Sequence, residues 1–493
     1  MLFNSYAFLF GFLPVTLAGA WLLGRRAGAS AVVVWLLAAS LWFYAYWNPA
    51  YLGMLLGSVA FNYAIGWVLC DRDSTSDRTR RRLLLLGLVG NLLLLVQCKY
   101  LGFFAEIAGA LAGTVFDPGP LILPLAISFF TFQQIAFLVD AFRGEVERPS
   151  PWRYALFVCF FPQLIAGPIV QHREVLPQLA RRGLGRFDAE RLAKGLTLFV
   201  LGLAKKVVLA DRLAPLATPV FDAAAAGEAL TFVDAWGGAL AYTLQLYFDF
   251  SGYSDMAIGL GAMLGVKLPR NFDSPYQAVS IIDFWRRWHM TLSRFLRNYL
   301  YIPLGGNRRG RGRRYANLLL TMLLGGLWHG AGWTFVVWGG LHGLYLAVNH
   351  GWRALRSGTR PSGPASRAAA RCLTFAAVVV AWVVFRAESL AAALEMLGAM
   401  AGLGGAAVPL IEGAGAVLGV EAWLILAALL ALVWWAPNTG RVLPVALDSP
   451  PAEEGVRRFS WRATPSWAFA VGTLALVAVA DLVKRSEFIY FRF

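Results

Sequence analysis

The sequence predicts an all-α protein that crosses a membrane many times. Hydrophobic residues make up 58% of the 493 residues and charged residues only 15%, whereas soluble domains carry about 25% charged residues. The apolar residues form runs of the length that a helix needs to cross a hydrocarbon core about 30 Å thick. A soluble monomer could not bury this much apolar surface, which excludes a soluble, disordered or disulfide-stabilised protein.

The spans follow from the criterion of about 20 mostly apolar residues each, which predicts about eleven or twelve of them. The run that starts at Leu83 is long enough to be kinked or divided into two pieces. The predicted spans are approximately 6–23, 31–47, 51–70, 83–110, 121–142, 154–170, 196–210, 233–264, a pair within 315–350, 373–385, 422–435 and 467–483. No internal repeat and no soluble domain of substantial size interrupts this series.

Arginine-rich loops predict the orientation of the spans. Arg25 and Arg26 follow the first span, the segment 72–82 follows the third, and the segment 353–371 carries five arginines and no acidic residue. Such loops are typically cytoplasmic, so the N-terminus is predicted to lie outside. The net charge of +16 is explained by these loops and by their contact with anionic membrane lipids, and nucleic-acid binding is not expected.

The sequence carries no motif of a metal protein or of a soluble nucleotide-binding or hydrolytic enzyme. The four cysteines stand singly in or beside apolar runs, without the paired spacing of a zinc site. No HExxH sequence, P-loop, GxSxG turn or GxGxxG turn after a strand is present. A metal is therefore not expected.

Two carboxylates interrupt an apolar run in the segment 247–255. Asp249 and Asp255 lie there beside Ser251 and Gly252. Carboxylates inside a membrane are costly and are often functional. They could line a water-filled cavity, or they could cap a broken helix or hydrogen bond to each other, and the sequence leaves these interpretations open.

A basic and aromatic segment follows at 270–314, with ten arginines and two aspartates. Arginine and aromatic side chains together are typical of a membrane interface. Ser280 followed by Asp283 predicts a helix start, and a continuous helix beyond it would place Trp288 and His289 on one apolar stripe with other aromatic residues. His289 then points to the interior, where a histidine is more commonly a core residue than a reactive one.

His329 stands between two apolar runs and between glycines. As a helix, the run Tyr315–Trp328 would rise only about 21 Å, less than the hydrocarbon core of about 30 Å. We therefore expect His329 at a hairpin tip inside the protein, where its imidazole could exchange a proton near neutral pH. A structural histidine at a helix break is the alternative. The arginine cluster 308–314 before this run is interpreted as a solvated loop, with a phosphate contact as the alternative.

Taken together, these segments resemble the membrane-bound O-acyltransferase (MBOAT) superfamily, and specifically its bacterial alginate O-acetyltransferase branch. The clearest motifs are Asp283-Phe-Trp-Arg-Arg-Trp-His289 and Gly325-Gly-Leu-Trp-His-Gly330. Further matching stretches lie at 127–133 with Asp140, 161–168, 203–211, 247–259, 271–276, 299–307 and 488–493. The resemblance therefore covers nearly the whole chain.

The resemblance implies one integral membrane domain over 1–493, in which a ring of spans encloses a central funnel with re-entrant helices. It implies a catalytic core at about 121–350 and C-terminal helices at 372–493. His329 is expected to be the essential catalytic residue and His289 the second signature histidine. The residues expected to contribute to substrate or donor binding are Asp249, Asp255, Trp285, Trp288, Asn298 and Trp328.

In this branch the acyl group comes from a cytoplasmic thioester, expected to be acetyl-CoA, which is a substrate and not a bound cofactor. The acyl group crosses the bacterial inner membrane towards an exported polysaccharide, and a periplasmic SGNH or esterase-like acetyltransferase usually completes the transfer. Two positions depart from the family pattern. Asn298 replaces the usual aspartate before Tyr-Leu-Tyr, and Gly332 replaces a common asparagine.

Other functions remain open at this point. Within the superfamily, the chain could transfer D-alanine to teichoic acid, or acetate to peptidoglycan or cellulose. From a different class, a polysaccharide or lipid transporter would use the histidines and aspartates as a proton relay. Such a transporter should show paired broken helices in matching halves, and no such symmetry is visible in the sequence.

Overall fold

The computed structural model describes residues 1–117, 119, 123–355, 363–403, 418–449 and 460–482. Helices are the regular structure of these residues, and no strand occurs among them, which confirms the all-α prediction. The described residues divide into two compact units. The first contains Met1–Ala204, Tyr253–Arg270 and the described part of Thr439–Arg485, and the second contains Lys205–Gly252 and the described part of Asn271–Asn438.

The first unit contains many of the apolar helices. Serine side chains begin two of them: Ser76 Oγ accepts from the backbone N–H of Thr79, and Ser150 Oγ from that of Arg153, as helix caps commonly do. Its helices are Ala7–Arg26, Ala29–Ala45, Ala50–Leu69, Asp77–Ala112, Ile127–Arg143, Pro151–Cys159, Phe161–Leu164, His172–Leu179, Ala189–Ala204, the end of Phe232–Met263, Thr439–Val442 and Pro465–Asp481.

Four helices in the described part of the chain are long and apolar enough to cross a membrane: Ala7–Arg26, Ala50–Leu69, Asp77–Ala112 and Pro364–Arg386. Shorter apolar helices occupy Ala29–Ala45, Leu390–Met400, Val420–Trp435 and Pro465–Asp481. The division expected in the run from Leu83 is present as a π-helical turn, Val96–Tyr100. The total number of spans stays a prediction.

The predicted span 154–170 is wrong. Its first helix ends at Cys159 and a separate short helix, Phe161–Leu164, follows. Pro162 lies in the first turn of that short helix and has no N–H to donate to a continuing helix, so the chain breaks before it.

The second unit begins with a π-helical turn, Lys205–Ala210, and the helix Asp211–Ala225. The helix Phe232–Met263 runs for 32 residues without a break and belongs to this unit as far as Gly252. The interpretation of Asp249 and Asp255 as caps of a broken helix is therefore wrong. The remaining elements are Pro275–Gln277, Ile281–Trp285, Met290–Leu296, Arg297–Tyr301, Gly310–His329, Trp333–Leu355, Pro364–Arg386, Leu390–Met400 and Val420–Trp435.

The continuous helix expected after Ser280 is only partly present. Ser280 Oγ accepts from the backbone N–H of Asp283 at 3.1 Å, which confirms the helix start. The helix then ends at Trp285, and a second helix begins at Met290. His289 adopts a left-handed backbone conformation between the two, with φ 41°.

The helices Gly310–His329 and Trp333–Leu355 form an antiparallel pair that we call the histidine hairpin. Its first helix begins in the arginine cluster, five residues earlier than predicted, because arginine favours helices. With 20 residues it rises about 30 Å, so the expectation of a short helix is wrong. His329 nevertheless ends this helix and is buried, as expected for a hairpin tip.

Glycines allow the two helices of the histidine hairpin to approach closely. A methyl group on Gly326 would overlap the carbonyl oxygen of Phe335, and one on Gly339 would overlap that of Met322. Small residues of this kind permit close contact between helices in membrane proteins. The tip that carries His329 is therefore held by backbone-to-backbone packing.

Candidate active site

The structure brings together the two histidines that the sequence singled out. His289 is fully buried and His329 is 4% exposed. Their ring centres lie 6.5 Å apart, with an angle of 60° between the ring planes. Trp328 contacts both, with its ring centre 4.9 Å from His329 and 6.1 Å from His289. The pair and this tryptophan form the centre of the candidate site.

Aromatic side chains from two further helices enclose His329. The ring centres of Trp338 and Phe385 lie 5.1 Å and 5.4 Å from that of His329, each nearly perpendicular to it. Trp382 stacks on Trp338 with ring centres 5.6 Å apart. These rings give the imidazole of His329 a largely apolar surrounding.

His289 is held by Asn271, which precedes it by 18 residues. The Nδ1 atom of His289 lies 3.0 Å from Asn271 Oδ1. The same oxygen accepts from Thr291 Oγ1 at 2.9 Å and from the Thr291 backbone N–H at 3.4 Å. The ring of Phe250 packs perpendicular to the imidazole, with centres 4.8 Å apart. The histidine is thus fixed through both its ring and its backbone neighbours.

Trp285 and Trp288 belong to an aromatic cluster beside the pair. Trp288 is buried and packs against Trp382 and Tyr276, with ring centres 4.9 Å and 6.0 Å away. The indole N–H of Trp285 donates to Nδ1 of His342 at 3.2 Å. These contacts support the aromatic wall, and the binding roles expected for the two tryptophans stay predictions.

The two aspartates have different partners. Asp249 is 1% exposed and its Oδ1 lies 2.5 Å from Nζ of Lys206, which is 3% exposed. Lys206 also contacts Asp211 Oδ1 at 2.8 Å. Within the first unit, Asp255 accepts a hydrogen bond from Thr439 Oγ1 at 2.8 Å. Asp249 therefore belongs to a buried ion cluster, which the sequence-based interpretations did not include.

The remaining positions that the sequence singled out make no contact described above with the histidine pair. Asn298 sits in the π-helical turn Arg297–Tyr301 and is half-buried, and its Oδ1 accepts from Nε of Arg297 at 3.1 Å. Gly332 precedes the second helix of the histidine hairpin. The matching stretch 488–493 lies outside the described residues. Across the described ranges, no three His, Cys, Asp or Glu side chains are grouped as metal ligands.

Several residues of this region had no role in the sequence-based site. Asn271 and Lys206 fall inside stretches that carry the family resemblance, but their partners are distant in sequence. Trp338 and His342 are separated by one helical turn on the histidine hairpin, and their ring centres lie 4.8 Å apart. The sequence signal for them was an apolar helix with aromatic residues at helical spacing, which is also the pattern of an ordinary core.

Comparison with known proteins gives a consistent set of similarities. The model of the MBOAT, membrane-bound O-acyltransferase family, matches residues 138–387. The peptidoglycan O-acetyltransferase of Helicobacter pylori is 46% identical over 82% of this chain and 80% of its own length. The probable alginate O-acetylase AlgI of Azotobacter vinelandii is 40% identical over 100% of both chains. A teichoic acid D-alanyltransferase of Streptococcus thermophilus is 28% identical over 46% of this chain and 57% of its own length.

Proposed function

Since this chain belongs to the membrane-bound O-acyltransferase family, we propose that it moves an acetyl group from cytoplasmic acetyl-CoA to an exported, alginate-like polysaccharide. It is an O-acyltransferase, so a transporter that only moves the polymer is excluded. The observation that carries the chemistry is the buried pair His289 and His329, with ring centres 6.5 Å apart. The full-length similarity to alginate O-acetylases supports acetate as the acyl group and a polysaccharide as the acceptor.

The proposed reaction exchanges a thioester for an ester. A hydroxyl oxygen of the immediate acceptor, which is either the polymer or the partner that passes the acetyl group to it, forms a bond to the carbonyl carbon of the thioester, and His329 takes the hydroxyl proton as general base. The carbon–sulfur bond then breaks, the thiolate leaves, and the proton passes from His329 to sulfur. General-base catalysis of this kind contributes about 10²–10⁴-fold to a rate. His289 either orients the donor or stabilises developing charge.

The separation of the two imidazoles leaves room for a substrate atom between them. A direct hydrogen bond between two imidazole nitrogens would place the ring centres about 5 Å apart. One atom placed between the rings, about 2.8 Å from a nitrogen of each, would separate the centres by about 6.5 Å. The observed separation is 6.5 Å. We therefore propose that a reacting group of the substrates enters between the rings and that the acceptor hydroxyl donates its hydrogen bond to His329.

The aromatic wall supports transfer to a hydroxyl in preference to water. Trp328, Trp338 and Phe385 surround His329 with ring centres 4.9–5.4 Å away. Excluding water from a site protects a reactive acyl group from hydrolysis and strengthens the electrostatic interactions inside it. Of the residues expected to bind the donor, Trp328 contacts both histidines, and we propose it as the first binding residue to test.

The direction of transfer is also proposed. Arg25, Arg26 and the segments 72–82 and 353–371 support a cytoplasmic position for their loops, and with this orientation the N-terminus would lie outside the inner membrane. We propose that the donor binds from the cytoplasmic side. The acyl group would leave on the outer side, where an esterase-like periplasmic partner would complete its transfer to the polymer. The two histidines would then act between the faces, so that the whole donor need not cross.

Peptidoglycan is a second candidate acceptor. The observation that favours it is the 46% identity to the Helicobacter pylori peptidoglycan O-acetyltransferase over 82% of this chain. The alginate O-acetylase of Azotobacter vinelandii is less identical, at 40%, but it matches over 100% of both chains. The chemistry at the histidine pair is the same for both acceptors, so the acceptor must be decided by the product.

The test measures base-labile acetate in exported polysaccharide and in peptidoglycan, from cells carrying the wild type, His329→Ala or His289→Ala at matched membrane abundance. We expect His329→Ala to lower acetate about 10²–10⁴-fold. A suitable control is His350→Ala, because this histidine lies on the second helix of the histidine hairpin, far from the tip, and contacts Arg314. Full acetylation by His329→Ala would contradict the proposal, and ester-linked alanine in place of acetate would redirect it to D-alanyl transfer.

A further inference from the structure

The backbone of His289 is in a conformation that histidine rarely adopts. Its φ and ψ angles are 41° and 54°, and the left-handed region costs a residue with a Cβ about 1–2 kcal/mol. Such conformations persist where surrounding contacts impose them, and they concentrate at functional sites. The catalytic pair therefore depends on whatever residue holds His289 in this conformation.

Asn271 makes the contacts that hold it. The backbone oxygen of Asn271 accepts from the N–H of Met290 at 2.9 Å. Its side-chain Oδ1 accepts from Thr291 Oγ1 at 2.9 Å and from the Thr291 backbone N–H at 3.4 Å, and it lies 3.0 Å from Nδ1 of His289. One buried residue thus contacts three consecutive residues, at the point where the backbone of His289 adopts the left-handed conformation between two right-handed helices.

The same contacts define which nitrogen of His289 carries the proton. A backbone N–H can only donate, so the amide atom of Asn271 that faces Thr291 is the oxygen. This oxygen can only accept, so Nδ1 of His289 must be the donor in their hydrogen bond. In a neutral imidazole the lone pair then belongs to Nε2.

We propose that Asn271 is the positioning residue of His289. It holds the left-handed backbone and the Nδ1–H tautomer, and it leaves Nε2 as a hydrogen-bond acceptor. This inference rests on the proposed function and narrows it. Neutral His289 then accepts a hydrogen bond from a substrate group other than the hydroxyl whose single proton passes to His329, and it does not donate one to a developing oxyanion.

The first test is nitrogen NMR of the purified full-length protein labelled with ¹⁵N-histidine. The chain has five histidines, and subtraction of a His289→Ala spectrum identifies the signals of His289. In a neutral imidazole the protonated and unprotonated nitrogens are distinguishable, so the signals assigned in this way report the tautomer of His289 in the wild-type protein. We expect a proton on Nδ1, and a proton on Nε2 with a bare Nδ1 would overturn the inference.

The second test compares Asn271→Asp with Asn271→Leu. Aspartate keeps an oxygen acceptor at this position and leucine removes it at similar size. At matched abundance, we expect Asn271→Leu to lower acetyl transfer about 10- to 100-fold, as misplacement by about 1 Å does, and Asn271→Asp to restore most of it. In the Asn271→Leu spectrum we expect the Nδ1–H signal of His289 to be lost or mixed with the other tautomer. Thr291→Val is the matched control, since it removes another donor to the same oxygen and should leave the tautomer unchanged.

The outcomes separate this inference from the proposed function. If His329→Ala and His289→Ala stop acetylation while Asn271→Leu retains the wild-type rate, the positioning role of Asn271 is wrong and the function stands. If neither histidine variant changes acetylation, the proposed function is wrong, and the NMR spectrum still decides whether Asn271 determines the tautomer.

Discussion

Gly339 lies where the two helices of the histidine hairpin come closest, and its replacement by alanine tests whether this contact positions His329. A methyl group at this position would overlap the carbonyl oxygen of Met322, and it would lie 3.0 Å from the carbonyl carbon of Met322 and 3.1 Å from Cα of Leu323. Non-bonded carbon atoms prefer separations of about 3.5–4.0 Å. The helices would therefore have to move apart by about 0.5–1 Å, because every one of these contacts is to backbone.

The expected loss is larger for activity than for stability. Overpacking lowers the free energy of unfolding by about 1–3 kcal/mol, whereas replacing glycine by alanine inside a helix raises it by about 1 kcal/mol. The free energy of unfolding should therefore fall by at most about 2 kcal/mol. His329 ends the helix that must move, and misplacement of a catalytic group by about 1 Å can cost 10²-fold in rate. We expect Gly339→Ala to lower acetyl transfer about 10- to 100-fold.

The adjacent glycine supplies a matched control. A methyl group on Gly340 would lie 3.5 Å from Cδ2 of Leu323, which is an ordinary contact with a side chain. Base-labile acetate per amount of membrane protein measures transfer, and thermal unfolding in detergent measures stability. If Gly339→Ala acetylates as well as Gly340→Ala does, close packing of the hairpin does not hold His329 in place.

Two further substitutions test ionic contacts. Lys206→Met removes the ammonium group 2.5 Å from Asp249 and should lower the free energy of unfolding by about 3–5 kcal/mol, while the double variant with Asp249→Leu should recover much of this loss in thermal unfolding. Hydrogen bonds from Ser74, and then from Arg148, hold the pKa of the Asp71 carboxyl below its usual value of 3.8. Because the pKa is lower in the folded protein, the stabilisation is present above the unfolded pKa and disappears as the pH falls through the folded one. Asp71→Asn should therefore lower the Tm at about pH 7, and this difference should shrink as the pH falls into the acid range where the carboxyl becomes protonated. An equal Tm difference at neutral and at acid pH would refute this.

The fold class and the burial of His329 could be predicted from sequence because both depend on the distribution of apolar residues. The burial was nevertheless predicted from a helix that is too short. That argument began the helix at Tyr315, whereas the structure begins it at Gly310. The correct part of the prediction came from the glycines and the histidine between two apolar runs, which require a turn whatever the length of the helix before it.

The ion cluster around Lys206 shows why other parts of the site could not be predicted. Lys206 and Asp211 are five residues apart, a spacing that places two side chains on different faces of an α-helix. The turn between them is π-helical, which aligns residues at this spacing and lets both contact one another at 2.8 Å. Asp249 comes from another helix, so its pairing depends on tertiary packing that no local pattern reports.

The interruption of the helix at His289 also depends on tertiary packing. At this residue, tertiary contacts override the helix that the local sequence pattern predicts. Residues 283–299 have the apolar spacing of a continuous helix, yet the helix stops at Trp285 and resumes at Met290. Hydrogen bonds contribute about 1 kcal/mol each, so the several bonds from Asn271 outweigh the cost of about 1–2 kcal/mol for a left-handed residue. The sequence contains both partners, but a pattern that considers only near neighbours cannot weigh a residue 18 positions away. The break therefore falls at the second histidine because a tertiary contact with its ring and its neighbours is stronger than the preference of the local sequence for helix.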